Sequence, residues 1–388
     1  MCETPVAAVT TRRIGSVQGV PIISMADTAA DRSLVIDADV HLHERPADLA
    51  PFAEMPWRRG LENEPTAERW LDTPGYSPFT PLDPIRGVDP TVEPYMVRTP
   101  EAMRADLDRL GTDIAVMMPD RFIGLAASQN SDYAVAIADA YNRYLQEQWL
   151  DARRGLYGVL LVPNQDPHAA ARQILTYAAH DGIAGVLLST VNISPLWGDR
   201  FYDPIFAAAQ EAGLPVVLHG ATAYGSVFPM QLQSLETAAS RGALSQPLAM
   251  MVNVTAMVLN GVFERFPRLK LLCCEAGLAW LPFLAERLDG QYRVLKADLP
   301  ALSMKPSEYL RRQVWVTTHP LGGLSDAAAI ARIIAAIGAD RVVFASDWPH
   351  FDHDEPVRTA SSLLPADQRD QIMGNHARQL FRFHPAPP

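Results

Sequence analysis

Apolar and polar positions alternate along this chain in two recurring patterns. Short apolar runs rich in β-branched residues are separated by amphipathic segments of roughly 10 to 20 residues. The short runs are typical of buried strands, and the longer segments are typical of helices that cover a sheet. Eight runs have the strand pattern: residues 34–44, 113–119, 156–163, 183–190, 214–220, 269–277, 313–320 and 341–350.

Two of the amphipathic segments also carry helix-start signals. Ser131 is the candidate N-cap of a helix over residues 131–154, and Asp166 precedes Pro167 at the start of residues 166–180. Regular alternation of strands and helices predicts a parallel sheet covered by helices. A doubly wound open sheet is the alternative, but the GxGxxG fingerprint after the first strand is absent. We therefore predict an α/β protein with a (β/α)8 TIM barrel.

One stretch interrupts this regularity. Residues 45–100 are rich in proline and weakly periodic, so they cannot be regular helix or central strand throughout. We predict a Pro-rich insertion after strand one that passes over the top of the barrel. Residues 1–30 are predicted to be a flexible N-terminal arm, which leaves residues 31–388 for the barrel. Four aromatic residues of the insertion are candidates for substrate contact: Trp57, Trp70, Tyr76 and Phe79.

Composition and charge narrow the class of protein. The chain has 388 residues, of which 48% are hydrophobic, enough for a large core. The net charge of -11 is spread along the chain without a cluster of Lys and Arg, so we expect neither a nucleic acid nor a membrane as partner. Cys2, Cys273 and Cys274 lack CxxC spacing, and no signal peptide pattern is present, so we expect a cytoplasmic protein.

Polar side chains follow the strands at the end where a barrel carries its active site. The run LVIDADVHLHE places four metal-binding groups at alternating positions: Asp37, Asp39, His41 and His43. Alternation by two points these groups to one side of an extended strand, so any adjacent pair could bind one metal ion. The other strands end at Asp120, Asn164, Ser189, Thr190, His219, Glu275, His319 and Asp347. Imidazoles and carboxylates around one mouth are suitable ligands for a divalent ion such as zinc.

Four motifs resemble the amidohydrolase superfamily, in particular the branch that includes aminocarboxymuconate-semialdehyde decarboxylase and γ-resorcylate decarboxylase. The motifs are IDADVHLHE, LPVVLHG, GVFERFPRLKLLCCEAG and FASDWPHFD, in family order at the expected strand ends. This resemblance covers residues 34–383. It implies a divalent metal, Zn²⁺ or alternatively Mn²⁺, held by an X-x-His pair on strand one, a histidine on strand five and an aspartate on strand eight. The last two ligands are then His219 and Asp347.

Two alignments of the first strand stay open within this resemblance. Alignment on the ID start makes Asp39 and His41 the ligands, a carboxylate-x-His pair similar to that of γ-resorcylate decarboxylase. Alignment on the literal HxH makes the ligands His41 and His43 instead. We prefer the first alignment, and His41 is a ligand in both.

Residue 275 departs from the family pattern. The decarboxylases of this family typically have a histidine at the end of strand six, whereas this chain reads CCEAG. Glu275 is then a metal ligand, a general acid or base, or a salt-bridge partner of Arg287 or another arginine. His319 is a candidate to replace the missing imidazole. Asp347 is expected both to bind the metal and to accept a proton from its water.

The resemblance implies a metal-dependent carboxy-lyase or hydrolase that acts on a small carboxylated molecule. We predict non-oxidative decarboxylation of a small aromatic or unsaturated carboxylic acid. Hydrolysis of an ester, lactone, amide or C–C bond is the alternative, and Glu275 strengthens it. The resemblance also implies a homodimer. His350 and His353 either line the mouth or lie on a loop. The remaining histidines are expected to be structural or solvated: His168, His180, His376 and His384.

Overall fold

The structure is a computed structural model that describes most of the chain from residue 33 onward. The described residues are 33–63, 97, 99–190, 193–220, 235, 238–321, 326–350, 353–356 and 359–383. The predicted N-terminal arm, His384 and residues 64–96 of the predicted insertion, with Trp70, Tyr76 and Phe79, lie outside these ranges. The arm and the insertion therefore stay predictions.

Eight parallel strands form one sheet in which each strand pairs with the next along the chain. The strands are β1 (Ile36–Leu42), β2 (Ile114–Pro119), β3 (Leu156–Leu161), β4 (Ile183–Ser189), β5 (Val216–His219), β6 (Leu271–Cys274), β7 (Val314–Thr317) and β8 (Val342–Val343). Every residue in them is buried. Parallel strands that are covered on both faces are buried along their whole length. The predicted (β/α)8 barrel is confirmed.

The first and last strands meet and bring two site residues together. The backbone N–H of Asp347 donates to the carbonyl of Asp39 at 3.0 Å, and the N–H of His41 donates to the carbonyl of Trp348 at 2.7 Å. These bonds join the C-terminal end of β1 to the segment that follows β8. Residues distant in sequence are therefore neighbours at the mouth of the barrel.

Helices surround the strands and bury their apolar faces against them. The α-helices are Pro46–Leu49, Trp57–Asn63, Pro100–Leu110, Ser131–Tyr144, Pro167–Tyr177, Asp203–Ala212, Ala238–Leu259, Val262–Arg265, Trp280–Leu295, Pro306–Gln313, Ala327–Ile337 and His376–Leu380. Short 3₁₀ and π turns are Ala50–Phe52, Arg121–Ala127, Leu145–Trp149, Ala152–Arg154, Arg200–Tyr202, Lys296–Asp298, Ala339–Arg341, Thr359–Leu363 and Gln371–Asn375. In the helix Ala327–Ile337, for example, Ile330 and Ile334 are buried one turn apart.

One of the two predicted helix starts is confirmed, and the other is wrong by one residue. The Asp166 carboxylate accepts the backbone N–H groups of His168 and Ala169, as an N-cap should. The helix predicted over residues 131–154 is capped by Asn130 instead of Ser131, because the Asn130 side chain accepts the N–H of Tyr133 at 3.0 Å. Regular helix there ends at Tyr144.

The first part of the predicted insertion is helical and packs on the barrel. The Trp57 ring lies edge-on to the Tyr133 ring, with 5.5 Å between centroids.

Elsewhere, Gly242–Leu259 is an 18-residue helical stretch that is apolar enough to cross a membrane, and 44% of it is buried inside the protein. The buried residues of this stretch include Met250, Val254 and Met257.

Candidate metal centre at the mouth of the barrel

Four side chains from distant parts of the chain converge at the C-terminal ends of the strands. Asp39 and His41 belong to β1, His219 ends β5, and Asp347 follows β8. The Nε2 atom of His41 lies 3.3 Å from Asp39 Oδ1 and 3.1 Å from Asp347 Oδ1, and His219 Nε2 lies 3.3 Å from Asp39 Oδ2. One donor atom from each residue lies within 4.8 Å of all the others. Each residue is at most 1% exposed.

Several of these donor atoms lack a hydrogen bond to any described residue. They are both carboxylate oxygens of Asp39 and the Nε2 atoms of His41 and His219. Buried polar atoms without partners are costly, whereas a bound cation would satisfy all of them. His41 Nδ1 lies 3.3 Å from the carbonyl of Pro119, so an N–H there donates away from the centre and leaves Nε2 for a metal. The donor set therefore fits a divalent ion.

Opposite charges are close together in this centre, and they shift the acidity of its groups. Burial would raise the pKa of Asp39, but His219 and His41 hold the pKa of its carboxyl below the usual value. Burial likewise opposes a charge on His41, yet the nearby carboxylates of Asp347 and Asp39 raise its pKa to about 10. The carboxylates are thus anionic at neutral pH. A divalent ion can displace the imidazole protons that balance them.

Backbone strain occurs at the ends of two strands of this mouth. Asp347 has a φ of 66° and Glu275 a φ of 56°, and among the described residues these are the non-glycine residues with left-handed backbone. This conformation costs roughly 1–3 kcal/mol per residue, and it persists only where the surroundings enforce it. Both strained residues are carboxylates aimed at the candidate centre.

Glu275 lies at the edge of the centre. Its Oε2 atom is 3.5 Å from His219 Nε2, and its Oε1 atom accepts a hydrogen bond from the side chain of Gln246. Burial, with a contribution from the charge on Asp347, raises the pKa of Glu275 to about 7. Within the described ranges no ion pair joins Glu275 to Arg287, which is exposed, or to another arginine, so the salt-bridge alternative is not supported.

His319 is held between two carboxylates. Its Nε2 atom lies 3.3 Å from Asp347 Oδ2, and its Nδ1 atom lies 3.1 Å from Asp354 Oδ2. The same Asp354 oxygen accepts the backbone N–H of Leu321 at 2.8 Å. His319 therefore approaches the centre through Asp347, and Asp354 is a functional candidate that the sequence analysis did not identify.

His43 lies beside the four-donor group and contacts a different carboxylate. Its Nε2 atom is 3.8 Å from Asp120 Oδ2, and His350 Nε2 is 3.3 Å from Asp120 Oδ1. His350 therefore lines the mouth, one of the two alternatives left open for it. His353 is next to it, with Nδ1 2.8 Å from the carbonyl of His350.

The remaining predicted candidates have other surroundings. Asp37 is buried, and its Oδ1 atom accepts the backbone N–H groups of Ser346 at 2.9 Å and of Asp39 at 3.2 Å. It therefore supports the backbone of β1 and of the segment after β8. Asn164 lines an uncharged cleft of about 550 Å³ with Tyr202. Ser189 and Thr190 are buried.

The histidines expected to be structural or solvated include three described ones. His168 is exposed. His180 Nδ1 accepts the N–H of Gly182 at 3.1 Å, and His376 Nδ1 lies 2.9 Å from the carbonyl of Val342. These three expectations agree with the structure.

A (β/α)8 barrel with a buried imidazole and carboxylate group at its mouth defines a class of metal-dependent barrel enzymes. The profile of the amidohydrolase family matches residues 36–383. The chain therefore belongs to the amidohydrolase family, as the sequence motifs predicted.

The chain is similar to several proteins that are named as decarboxylases. The chain is 26% identical over 333 residues to the gamma-resorcylate decarboxylase of Polaromonas sp., a match that covers 83% of this chain and 97% of the relative. A crystal structure of 5-carboxyvanillate decarboxylase from Sphingomonas paucimobilis has a TM-score of 0.67 at 22% identity, covering 91% of this chain and 100% of that chain. The corresponding enzyme from Novosphingobium aromaticivorans, complexed with manganese and 4-hydroxy-3-methoxy-5-nitrobenzoic acid, has a TM-score of 0.67 at 21% identity, with coverages of 90% and 96%.

Proposed function

We propose that the protein is a metal-dependent decarboxylase that removes CO₂, without oxidation, from a small aromatic or unsaturated carboxylic acid. The observation that carries this proposal is the buried group of four donors within 4.8 Å: Asp39, His41, His219 and Asp347. We assign these four residues as the metal ligands. The contact between His43 and Asp120 supports the alignment in which Asp39, and not His43, completes the pair on β1. Membership in the amidohydrolase family and the similarity to decarboxylases support the reaction class.

The proposed ion is Mn²⁺, with Zn²⁺ as the alternative. Two carboxylates suit manganese and two imidazoles suit zinc, and the manganese in the Novosphingobium enzyme favours the former. When bound, a divalent ion supplies a positive charge that orients the substrate carboxylate and an adjacent oxygen. Asp39 and Asp347 balance that charge. His319 holds Asp347 in place through its Nε2 contact.

Glu275 is the proposed proton donor. In the reaction the bond between the carboxyl carbon and the substrate carbon breaks, CO₂ leaves, and the electron pair stays on that carbon. A proton must then reach the carbon, and the Glu275 carboxyl group lies at the strand end where the decarboxylases of this family typically have a histidine. After the transfer, solvent returns a proton to Glu275. Gln246 orients its carboxyl group by donating to Oε1.

Hydrolysis is the second candidate, and the identity of residue 275 is the observation that favours it. A carboxylate at this position can accept a proton from an attacking water, and glutamate is a common general base. The two reactions differ in their products. Decarboxylation releases CO₂, whereas hydrolysis of an ester, lactone, amide or C–C bond incorporates solvent oxygen.

The test is turnover by the manganese-loaded protein on salicylate-like acids, 2,6-dihydroxybenzoate, muconate-type acids and lactones in ¹⁸O-labelled water. We expect CO₂ release with one of the acids, no ¹⁸O in the other product, and no turnover by His219→Ala. Turnover of a lactone or ester with ¹⁸O in the product would replace decarboxylation by hydrolysis. Turnover by the metal-free protein would contradict both reactions.

We also propose, from the family resemblance, that the enzyme is a cytoplasmic homodimer. Light scattering on the purified protein should give twice the mass of the 42.6 kDa chain. A monomer at micromolar concentration would contradict the assembly but would leave the proposed reaction unaffected.

A further inference from the structure

Two threonines at the end of β7 lie between the strands that lead to Glu275 and Asp347. Thr317 is the last residue of β7, and Thr318 follows it. The two residues are 1% and 0% exposed. In the barrel β7 pairs with β6 on one side and with β8 on the other. Both threonines are therefore next to the segments that leave these two strands.

The Thr317 hydroxyl binds the segment that carries Glu275. The backbone N–H of Glu275 donates to Thr317 Oγ1 at 3.3 Å. The same hydroxyl donates to the carbonyl of His319 at 3.4 Å, and this carbonyl also accepts the N–H of Gly277 at 3.2 Å. The end of β7 therefore holds the backbone of the neighbouring segment at residue 275 and again at residue 277.

The Thr318 hydroxyl binds the segment that leads to Asp347. The backbone N–H of Ala345 donates to Thr318 Oγ1 at 3.1 Å, and the hydroxyl donates to the carbonyl of Ala345 at 3.3 Å. On the other side of Asp347, the N–H of Trp348 donates to Ser346 Oγ at 3.0 Å. The backbone of Asp347 is thus fixed before and after the residue.

Both of these segments contain strained backbone. Glu275 has a φ of 56° and Asp347 a φ of 66°, in the left-handed region that residues with side chains avoid. Such a conformation needs surroundings that enforce it. A threonine hydroxyl can accept one N–H and donate its own proton at the same time, and its β-branched side chain has few rotamers. The bonds from Thr317 and Thr318 are therefore suitable to enforce the two strained conformations.

We propose that Thr317 and Thr318 are positioning residues that hold the carboxyl groups of Glu275 and Asp347 in place around the metal centre. The inference rests on the proposed function, in which Glu275 delivers the proton and Asp347 binds the metal. Each threonine acts through the backbone of one segment, so the two effects are separable. Loss of the Thr317 hydroxyl misplaces the proton donor, whereas loss of the Thr318 hydroxyl displaces a metal ligand.

Thr317→Val replaces the hydroxyl by a methyl group of similar size. We expect kcat on the best acid substrate to fall by about 10- to 100-fold, as for loss of an outer partner of a metal site, with little change in KM. Bound Mn²⁺ should stay at the wild-type level, because the ring of His319 is also held by Asp354. Thr317→Ser keeps the hydroxyl and should restore most of the activity. Thr176→Val, at an exposed threonine, is the control and should match the wild type.

Thr318→Val tests the other segment with a measurement that needs no substrate. The metal-free, full-length protein is titrated with MnCl₂, and free Mn²⁺ is measured by EPR. We expect the Kd for Mn²⁺ to rise by about 10-fold in Thr318→Val and to stay near the wild-type value in Thr318→Ser. An unchanged Kd in Thr318→Val would overturn the role of Thr318. Equal losses in the valine and serine variants would show that packing, and not the hydroxyl, is the contribution of these threonines.

Crystal structures of the variants separate this inference from the proposed function. In Thr317→Val the backbone of Glu275 should leave the left-handed region or its carboxyl group should shift, and Asp347 should change likewise in Thr318→Val. Unchanged positions in both variants would overturn the inference, whatever the wild type turns over. These shifts, together with a wild type that converts none of the acids, would instead count against the proposed reaction alone. Thermal melting by circular dichroism checks folding, and an alanine variant, which leaves room for a water, replaces a valine variant that does not fold.

Discussion

Buried carboxylates occur in two regions of this molecule, and they differ in what faces them. In the metal centre, Asp39 and Asp347 lie among imidazoles, and these neighbours hold the pKa of both carboxyl groups below the ordinary value against the effect of burial. The second region consists of Glu44 and Asp37, and we call it the supporting layer. Its carboxyl groups accept backbone N–H groups instead. Burial there raises the pKa of Glu44 to about 8 and that of Asp37 to about 7.

This difference shows how one residue type can serve two purposes in the same barrel. A carboxylate that faces imidazoles keeps its negative charge and can exchange the imidazole protons for a metal ion. A carboxyl group that faces only backbone N–H groups has no opposite charge to offset the cost of burial, so its pKa rises. Its hydrogen bonds fix the position of a loop instead. Substitutions in the centre should therefore affect metal binding and turnover, and substitutions in the support should affect geometry and stability.

The largest effect is expected from loss of a centre ligand. His219→Ala removes one of four donors, and the remaining charges no longer match a divalent ion, so we expect loss of the central metal and of all turnover. Elemental analysis and activity with the best acid substrate are the measurements, with His168→Gln as control. Full occupancy of the central site in His219→Ala would show that the ligands are assigned incorrectly.

A matched pair of variants tests which of the two alignments of β1 is correct. Asp39→Ala should lose the central ion and turnover together, whereas His43→Ala should keep the central ion and only slow the reaction. Equal loss of the central ion in both variants would mean that the pair Asp39 and His41 is incorrect.

The next effect concerns Glu275, at the edge of the metal centre. If it delivers the proton, Glu275→Gln should keep the metal and the fold while turnover falls by about 10² to 10⁴, the range for a positioned proton-transfer group. Gln246→Ala, which removes only its hydrogen-bond donor, should cause a smaller loss. Unchanged turnover in Glu275→Gln would exclude the proposed role. Loss of metal in that variant would make Glu275 a ligand instead.

A smaller effect is expected from Asp354, which acts through His319. Asp354→Ala should lower kcat by about 10- to 100-fold, as loss of an outer partner of a metal site does, with little change in KM. Asp354→Asn can still accept the N–H of Leu321 and hydrogen-bond to His319, so we expect partial rescue. Equal loss in both variants would indicate that charge, and not positioning, is the contribution of Asp354.

Much of the fold and part of the site could be predicted from sequence because both depend on local pattern. Most strands are apolar runs with a polar residue at the end or shortly after it, so His219 at the end of β5 and Asp347 after β8 are visible in the sequence. In a parallel barrel these ends must meet at one mouth. With the family resemblance, five candidate ligands could be named before any distance was known, Asp39, His41, His43, His219 and Asp347, and the choice between Asp39 and His43 stayed open.

Other contacts depend on how distant loops pass over the mouth, and no local pattern encodes that. Gln246 reaches Glu275 from a long helix, and Asp354 reaches His319 from the segment after β8. The contact of His43 with Asp120 depends on the pairing of β1 with β2, which alternation within one strand cannot reveal. The Asn130 cap shows the same limit at short range, since Asn130 and Ser131 are both good capping residues.

The smallest effect on turnover is expected in the supporting layer, where Glu44 should instead make stability depend on pH. Burial raises the pKa of Glu44 to about 8 from 4.5. The folded state therefore prefers the protonated form. The stability that this preference contributes is fully present below pH 4.5 and is lost as pH rises towards 8.

Glu44→Gln removes this titration and keeps an oxygen for one of the two backbone N–H groups. The free energy of unfolding of the wild type should therefore fall relative to that of Glu44→Gln between pH 4.5 and 8, by at most about 1.4 kcal/mol per pH unit. Urea unfolding of both proteins across this range measures the difference, and Glu101→Gln is a control at an exposed carboxylate. A difference that is constant with pH would mean that Glu44 is ionised in the folded and unfolded states alike. The contrast between the two regions would then lie in their geometry and not in their acidity, because the backbone N–H groups of Asp120 and Phe122 would stabilise the charge as well as the imidazoles do in the centre.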